Sequence, residues 1–179
     1  GRMLAARRAG GFAARGYGRR AAEGVTDDRG AFAAGLRVAF TVVRDAEQTD
    51  DVLFGRGRLA HAPALELLAV CSTLSPAYVA GLRERLPPRL RLVDAPMSGA
   101  PVAARERRLS FMLGGAAADL DRLQPLLAAM GRHYHRMGPL GAGMQAKVLN
   151  NLLAASSTAM TRLVLDWGDA AGLDEAALL

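Results

Sequence analysis

The run Val38-Ala39-Phe40-Thr41-Val42-Val43 decides the fold. It is short, almost continuously apolar and rich in β-branched residues, the pattern of a strand covered on both faces of a parallel sheet. Working outward, a helix is predicted over residues 46–54 and a second apolar strand over 67–71, ending in Ser72-Thr73. Ser75-Pro76 opens a helix to residue 86, with proline in the first turn, where its missing N–H is tolerated. Further strands are predicted at 90–93, 109–113 and around 133–137, with a helix over 117–130 between the last two. Strands alternating with helices imply an α/β chain, a parallel sheet with helices on its faces. In such a sheet, ligands bind beyond the carboxyl ends of the strands.

The two ends read differently. Residues 1–20 are rich in Gly, Ala and Arg, and only 12–17 could form a short strand. From 145 to 168 a helical pattern runs without a strong break, longer than any helix before it. Asp166-Trp167-Gly168 and Leu173-Asp174-Glu175 read as one helix ending and another beginning. The final apolar side chains need a surface, supplied by a partner subunit or by further chain.

Composition bounds the function. Of 23 basic residues one is lysine, Lys147, so 22 are arginine, and the formal charge is +6. The arginines are scattered among acids in no long block, which argues against a nucleic-acid-binding module. No apolar run reaches the roughly 20 residues of a membrane span, and no secretory signal pattern is present. The single cysteine, Cys71, suits a cytoplasmic setting and reads as a buried strand residue. His133 and His135 share a strand face without an acid or cysteine cluster, so no metal is expected.

The lone lysine bears on chemistry. Arginine stays charged in proteins, whereas a lysine can be tuned to exchange a proton near neutrality. Gly138-Pro139-Leu140-Gly141-Ala142-Gly143-Met144 leads from a tight loop into a helix that carries Lys147 on its first or second turn. Asn150 and Asn151 follow three and four residues on, beside the amine on one helical face. The competing reading is an ordinary solvated lysine.

Asp94-Ala95-Pro96-Met97-Ser98-Gly99-Ala100-Pro101 follows a strand and turns sharply, exposing backbone amides of small residues. With Leu109-Ser110-Phe111-Met112-Leu113-Gly114-Gly115 and the Lys147 segment, in this order and spacing, it resembles the β-hydroxyacid dehydrogenases. That family includes 3-hydroxyisobutyrate dehydrogenase, tartronate semialdehyde reductase and the related 6-phosphogluconate dehydrogenases. The resemblance implies an N-terminally shortened Rossmann-like NAD(P)-binding domain over residues 1–141. It implies a long helix and the beginning of an all-helical domain over 142–179, the whole incomplete at both ends. It further implies hydride transfer between a nicotinamide and a small 3-hydroxy acid, in a cytoplasmic enzyme that forms a homo-oligomer, a dimer, through its helical part.

By the same resemblance Lys147 is the general acid/base and Asn151 orients the substrate, with Asn150 beside it. Ser98, Gly99 and Ala100 hold the carboxylate side of the substrate, and Val43, Arg44, Gln48 and Thr73 line the cofactor pocket. Gly1 stands as the last glycine of the family's pyrophosphate-binding turn, whose preceding strand is absent. Residues 20–38 are also shorter than the family pattern. Arg19 and Arg20 stand where NAD-preferring members carry an acid, which favours NADP over NAD; the competing reading is an Arg-rich loop in an Arg-rich chain. Ala100 replaces a family glycine, and Arg107-Arg108 stand where a small residue is usual, so the substrate is not carried over. The alternative function is a truncated, non-catalytic remnant acting as a binding or scaffold protein.

Overall fold

The structure is a computed structural model describing residues 2–18 and 22–178. The chain forms two compact units, Gly1–Lys147 and Val148–Leu179.

The first unit is built on a six-stranded sheet. Strands β3 (Val38–Thr41), β4 (Leu67–Val70) and β5 (Arg91–Asp94) run parallel, with Val38 opposite Leu67 and Val70 opposite Asp94. All four residues of β4 are fully buried, because its side chains alternate between two apolar layers. Leu67 and Ala69 join a cluster with Val93, Phe111, Leu123 and Leu127. Leu68 and Val70 join the opposite cluster, with Leu53, Val79, Leu82 and Met144. Helices α3 (Ala46–Leu53), α4 (Pro76–Arg85) and α6 (Ala117–Ala128) supply the covering faces.

Beyond β5 the sheet is mixed, which the strand–helix alternation did not reveal. β7 (Leu109–Gly114) pairs with β5 in antiparallel fashion through Asp94 and Gly114. β6 (Met97–Ser98) is also antiparallel to β7, and β8 (Gly131–Gly138) is parallel to it. The chain between β5 and β7 is taken up by β6 and by α5 (Pro101–Arg105), of 5 residues, and holds no longer helix of the usual crossover kind. Met97 and Ser98 are paired strand, not merely the start of a turn.

At the start, α1 (Arg2–Ala9) is followed by β1 (Gly16–Tyr17) and β2 (Val25–Thr26), which form a separate two-stranded parallel sheet. The shortened stretch before Val38 thus still holds β2 and α2 (Arg29–Ala33), capped by Asp28, whose Oδ1 accepts from the Ala31 N–H.

Many arginines are engaged by acids. Glu66 accepts from Arg37 and Arg122, and these two guanidinium groups hold its carboxyl down at about 2. Arg56 pairs with Asp51, Arg85 with Asp50, Arg91 with the buried Asp119, and Arg136 with Asp121.

The second unit contains the rest of α7 (Ala142–Ala170) and α8 (Glu175–Leu178), where Asp174 Oδ1 accepts from the N–H groups of Ala176 and Ala177. Leu152, Leu153, Met160 and Trp167 are each at least 60% exposed along it. Among the described residues no helix is long and apolar enough to cross a membrane.

Phe111 is completely buried and stacks on Tyr134 with ring centroids 6.3 Å apart. Phe111→Ala should lower unfolding free energy by about 3–5 kcal/mol, read as a shifted urea midpoint; a midpoint within error of the parent contradicts this packing.

Candidate active site

The loops leaving β3 and β4 are tied together at the carboxyl edge of the sheet. The Val43 N–H donates to Ser72 Oγ at 2.9 Å, which uses a buried hydroxyl to join the two loops. Asp45 caps α3, its Oδ1 accepting from the Gln48 N–H at 2.9 Å, and that contact holds its carboxyl below the usual range. Gln48 Oε1 in turn accepts from the Arg44 N–H at 3.2 Å. Arg44 and Thr73 are exposed, and Val43 and Gln48 are half-buried. Val43, Arg44 and Thr73 therefore stand on two linked loops beyond adjacent parallel strands, with Gln48 on the first turn of α3, where sheets of this kind bind ligands.

The start of α7 packs onto this edge. The Leu74 N–H donates to Met144 Sδ at 3.2 Å, so the loop carrying Thr73 touches the first turn of α7. Lys147 lies on the next turn and is only 9% exposed. It makes no hydrogen bond or ion pair to any described residue, and desolvation alone pushes its amine below the ordinary value. Desolvation of this kind is the environment that a proton-exchanging lysine needs. Asn150, half-buried, and Asn151, exposed, continue α7 in the second unit.

Ser98 ends β6 opposite Ser110, and the chain then turns through Gly99 at φ 137, where a side chain would strain the backbone. Gly99 and Ala100 are exposed ahead of α5. Gly1, Arg19 and Arg20 lie outside the described residues.

A cavity of about 1000 Å³ adjoins this edge, with Val43 in its wall. It follows β3 from Arg37 to Val43 and is bordered by β1, Arg7 and Met130, with Gly99 and Ala100 also at its wall. Neither Thr73 nor Lys147 lines it. β3 is the edge strand of the six-stranded sheet among the described residues, and this space runs along it. Thr41 Oγ1 and Arg7 Nε are buried there without hydrogen-bond partners among the described residues, and Arg7 sits 4.2 Å over the Phe40 ring.

Cys71 is buried, with its thiol pushed up to about 12 by desolvation, and is no nucleophile. His133 and His135 stack 6.3 Å apart on the exposed strand β8, and the described residues contain no metal-binding cluster. Sequence reasoning missed Ser72 as a loop tie and Met144 as a contact to the β4 loop. It also gave no separate part to Asp94, although a lone acid closing the apolar run Leu92-Val93 was a visible signal.

Residues 6–138 match the family model described as the NAD binding domain of 6-phosphogluconate dehydrogenase. The chain belongs to this family. It is 37% identical over 164 residues to the NAD-dependent L-serine dehydrogenase of Pseudomonas aeruginosa, across 81% of this chain and 54% of that protein. It is 36% identical over 146 residues to the 3-hydroxyisobutyrate dehydrogenase of the same organism, across 80% and 49%. Among solved structures, the Mycobacterium tuberculosis 3-hydroxyisobutyrate dehydrogenase with L-serine matches with a TM-score of 0.87 at 25% identity, over 97% of this chain and 62% of that one. The Rossmann-like domain followed by a long helix is thus the family's fold, and the chain spans about half the length of the curated relatives it matches.

Two measurements test this geometry. Reductive methylation with ¹³C-formaldehyde labels Lys147 as the sole lysine, and its NMR titration should show a midpoint below the ordinary value of about 10.4, returning there in urea. A folded-state midpoint at the ordinary value contradicts the buried amine. The sign for stability follows: between the depressed folded midpoint and the unfolded one the unfolded chain binds more protons, so this residue's contribution rises with pH across that window. Cys71 should react with a disulfide reagent at pH 8 no faster than the chain unfolds; labelling at the rate of free cysteine contradicts its burial.

Proposed function

We propose that this chain is the nucleotide-binding and lysine-bearing part of an NAD(P)-dependent β-hydroxyacid dehydrogenase acting on a small 3-hydroxy acid. The observation that carries the proposal is the sole lysine, buried and without a partner among the described residues, on the second turn of a helix packed at the carboxyl edge of a parallel sheet. The named relatives support the substrate class, since L-serine and 3-hydroxyisobutyrate both carry a hydroxyl on the carbon β to a carboxylate.

In this reading Lys147 takes the hydroxyl proton when the substrate is oxidised and returns it when the carbonyl is reduced. Serving as a base near pH 7 requires a fall of about 3 units from the reference value, roughly 4 kcal/mol, and desolvation acts in that direction. Ser98, Gly99 and Ala100 are assigned to the carboxylate side of the substrate, and Asn150 and Asn151 to its orientation, by family resemblance. Val43, Arg44, Gln48 and Thr73 suit the nicotinamide half of the cofactor, because they occupy the two joined loops at the strand ends and the first turn of α3. A bound nicotinamide supplies or accepts the hydride. Gly1, Arg19 and Arg20 are assigned to its phosphates, with NAD and NADP both retained. A homo-oligomer through the exposed apolar side chains of α7 and a cytoplasmic setting belong to the same proposal.

A second reading is a truncated, non-catalytic remnant that acts as a binding or scaffold protein. Ligand linkage separates the two: a cofactor at 100 times its dissociation constant stabilises by about 2.7 kcal/mol, so NAD or NADP should raise the melting temperature. No rise with either favours the remnant.

For the complete gene product assayed with NADH or NADPH and small 3-hydroxy acids or their carbonyl partners, Lys147→Ala should lower kcat by about 10²–10⁴-fold. Unchanged turnover would remove Lys147 from the role assigned to it.

A further inference from the structure

We propose that Asp94 is the positioning residue for Lys147, fixing the amine in place by capping the helix that carries it from fifty residues away in sequence. The inference rests on the catalytic reading of Lys147 only for its functional meaning; the geometry stands separately.

The C=O of Gly141 accepts the first α7 bond, from the Gln145 N–H at 2.9 Å, which makes Gly141 the N-cap residue. Glycine has no side chain with which to cap. Asp94 does the work instead, one carboxylate oxygen accepting from the Gly141 N–H at 2.8 Å and the other from the Met144 N–H at 2.6 Å. Those two donors are the pair satisfied reciprocally in a capping box, here served by a single carboxylate from the end of β5. Asp94 has no exposed surface. Desolvation raises its carboxyl above the ordinary value, against the opposing effect of the Gly141, Met144 and Gly143 amides. Cys71 is near enough to feel both Asp94, which raises its thiol, and Arg7, which lowers it.

Two glycines show how tightly the clamp is fitted. A Cβ on Gly114 would strike Asp94 Oδ1, and one on Gly143 would lie 2.9 Å from Asp94 Oδ2 and strike the Met112 carbonyl. The first turn of α7, the ends of β5 and β7 and the carboxylate therefore pack without slack. Met144 carries the same constraint to the β4 loop through Leu74, and Lys147 follows one turn later. A shift of the first turn moves the amine with it.

The test uses the ¹³C-methylated lysine in Asp94→Asn, where the amide keeps the shape but sets an NH₂ against one N–H donor. The expected result is a folded chain, by circular dichroism, whose Lys147 midpoint rises toward the value found in urea. A merely structural aspartate would lower the melting temperature and leave that midpoint alone, and this outcome would overturn the proposal. Should Asp94→Asn fail to fold, the parent chain decides. As pH falls, the Asp94 carboxyl ¹³C, the Gly141 and Met144 amide shifts and the Lys147 methyl ¹³C should share one midpoint, although Lys147 stays charged throughout. A Lys147 signal flat across the Asp94 titration would overturn the proposal. If Lys147→Ala leaves turnover intact while Asp94→Asn still moves the Lys147 midpoint, the catalytic reading falls and the positioning stands.

Discussion

A carboxylate that must stay out of water and a helix that begins without a cap of its own meet at Asp94. A buried charge is costly unless it is hydrogen-bonded, and the first N–H groups of a helix have no partners within it. Each supplies what the other lacks, so β5 and α7 are held in one arrangement. The parallel strands contribute the rest: Val70 lies opposite Asp94, which sets the β4 loop beside the α7 entry, and Leu74 and Met144 close the contact. Lys147 follows this junction by one turn of α7.

Away from the junction the unit relies on two apolar layers separated by strands buried on both sides. Several of its arginines pair with acids, as in Arg37–Glu66–Arg122 and Arg91–Asp119. Exposed pairs of this sort add little stability. Their effect is to break up the positive field, which accounts for a high charge without a continuous basic block.

The sequence announced the parts of the fold that depend on local pattern. The apolar runs at β3, β4 and β7 and the proline at the start of α4 signalled their elements, because burial on both faces and a fixed φ leave local marks. The antiparallel direction of β7 was not legible, since strand direction is set by how the intervening chain runs and not by β7 itself. The motif carrying Lys147 could be read, and so could its likeness to β-hydroxyacid dehydrogenases, which the family match of residues 6–138 bears out. The capping of α7 by a residue fifty positions earlier could not, because such pairing is set by tertiary contact alone. Nor could the space beside β3, which exists only through the placement of β1 relative to the sheet.

The central claim is that Lys147 carries the proton of the reaction. The most direct measurement sets the pH dependence of kcat for substrate oxidation in the complete gene product beside the NMR titration of the methylated lysine in the same protein bound to cofactor. The ascending limb of log kcat should fall at the Lys147 midpoint and move with it when Asp94→Asn shifts that midpoint. A limb that stays in place while the Lys147 midpoint moves would assign the proton to another group.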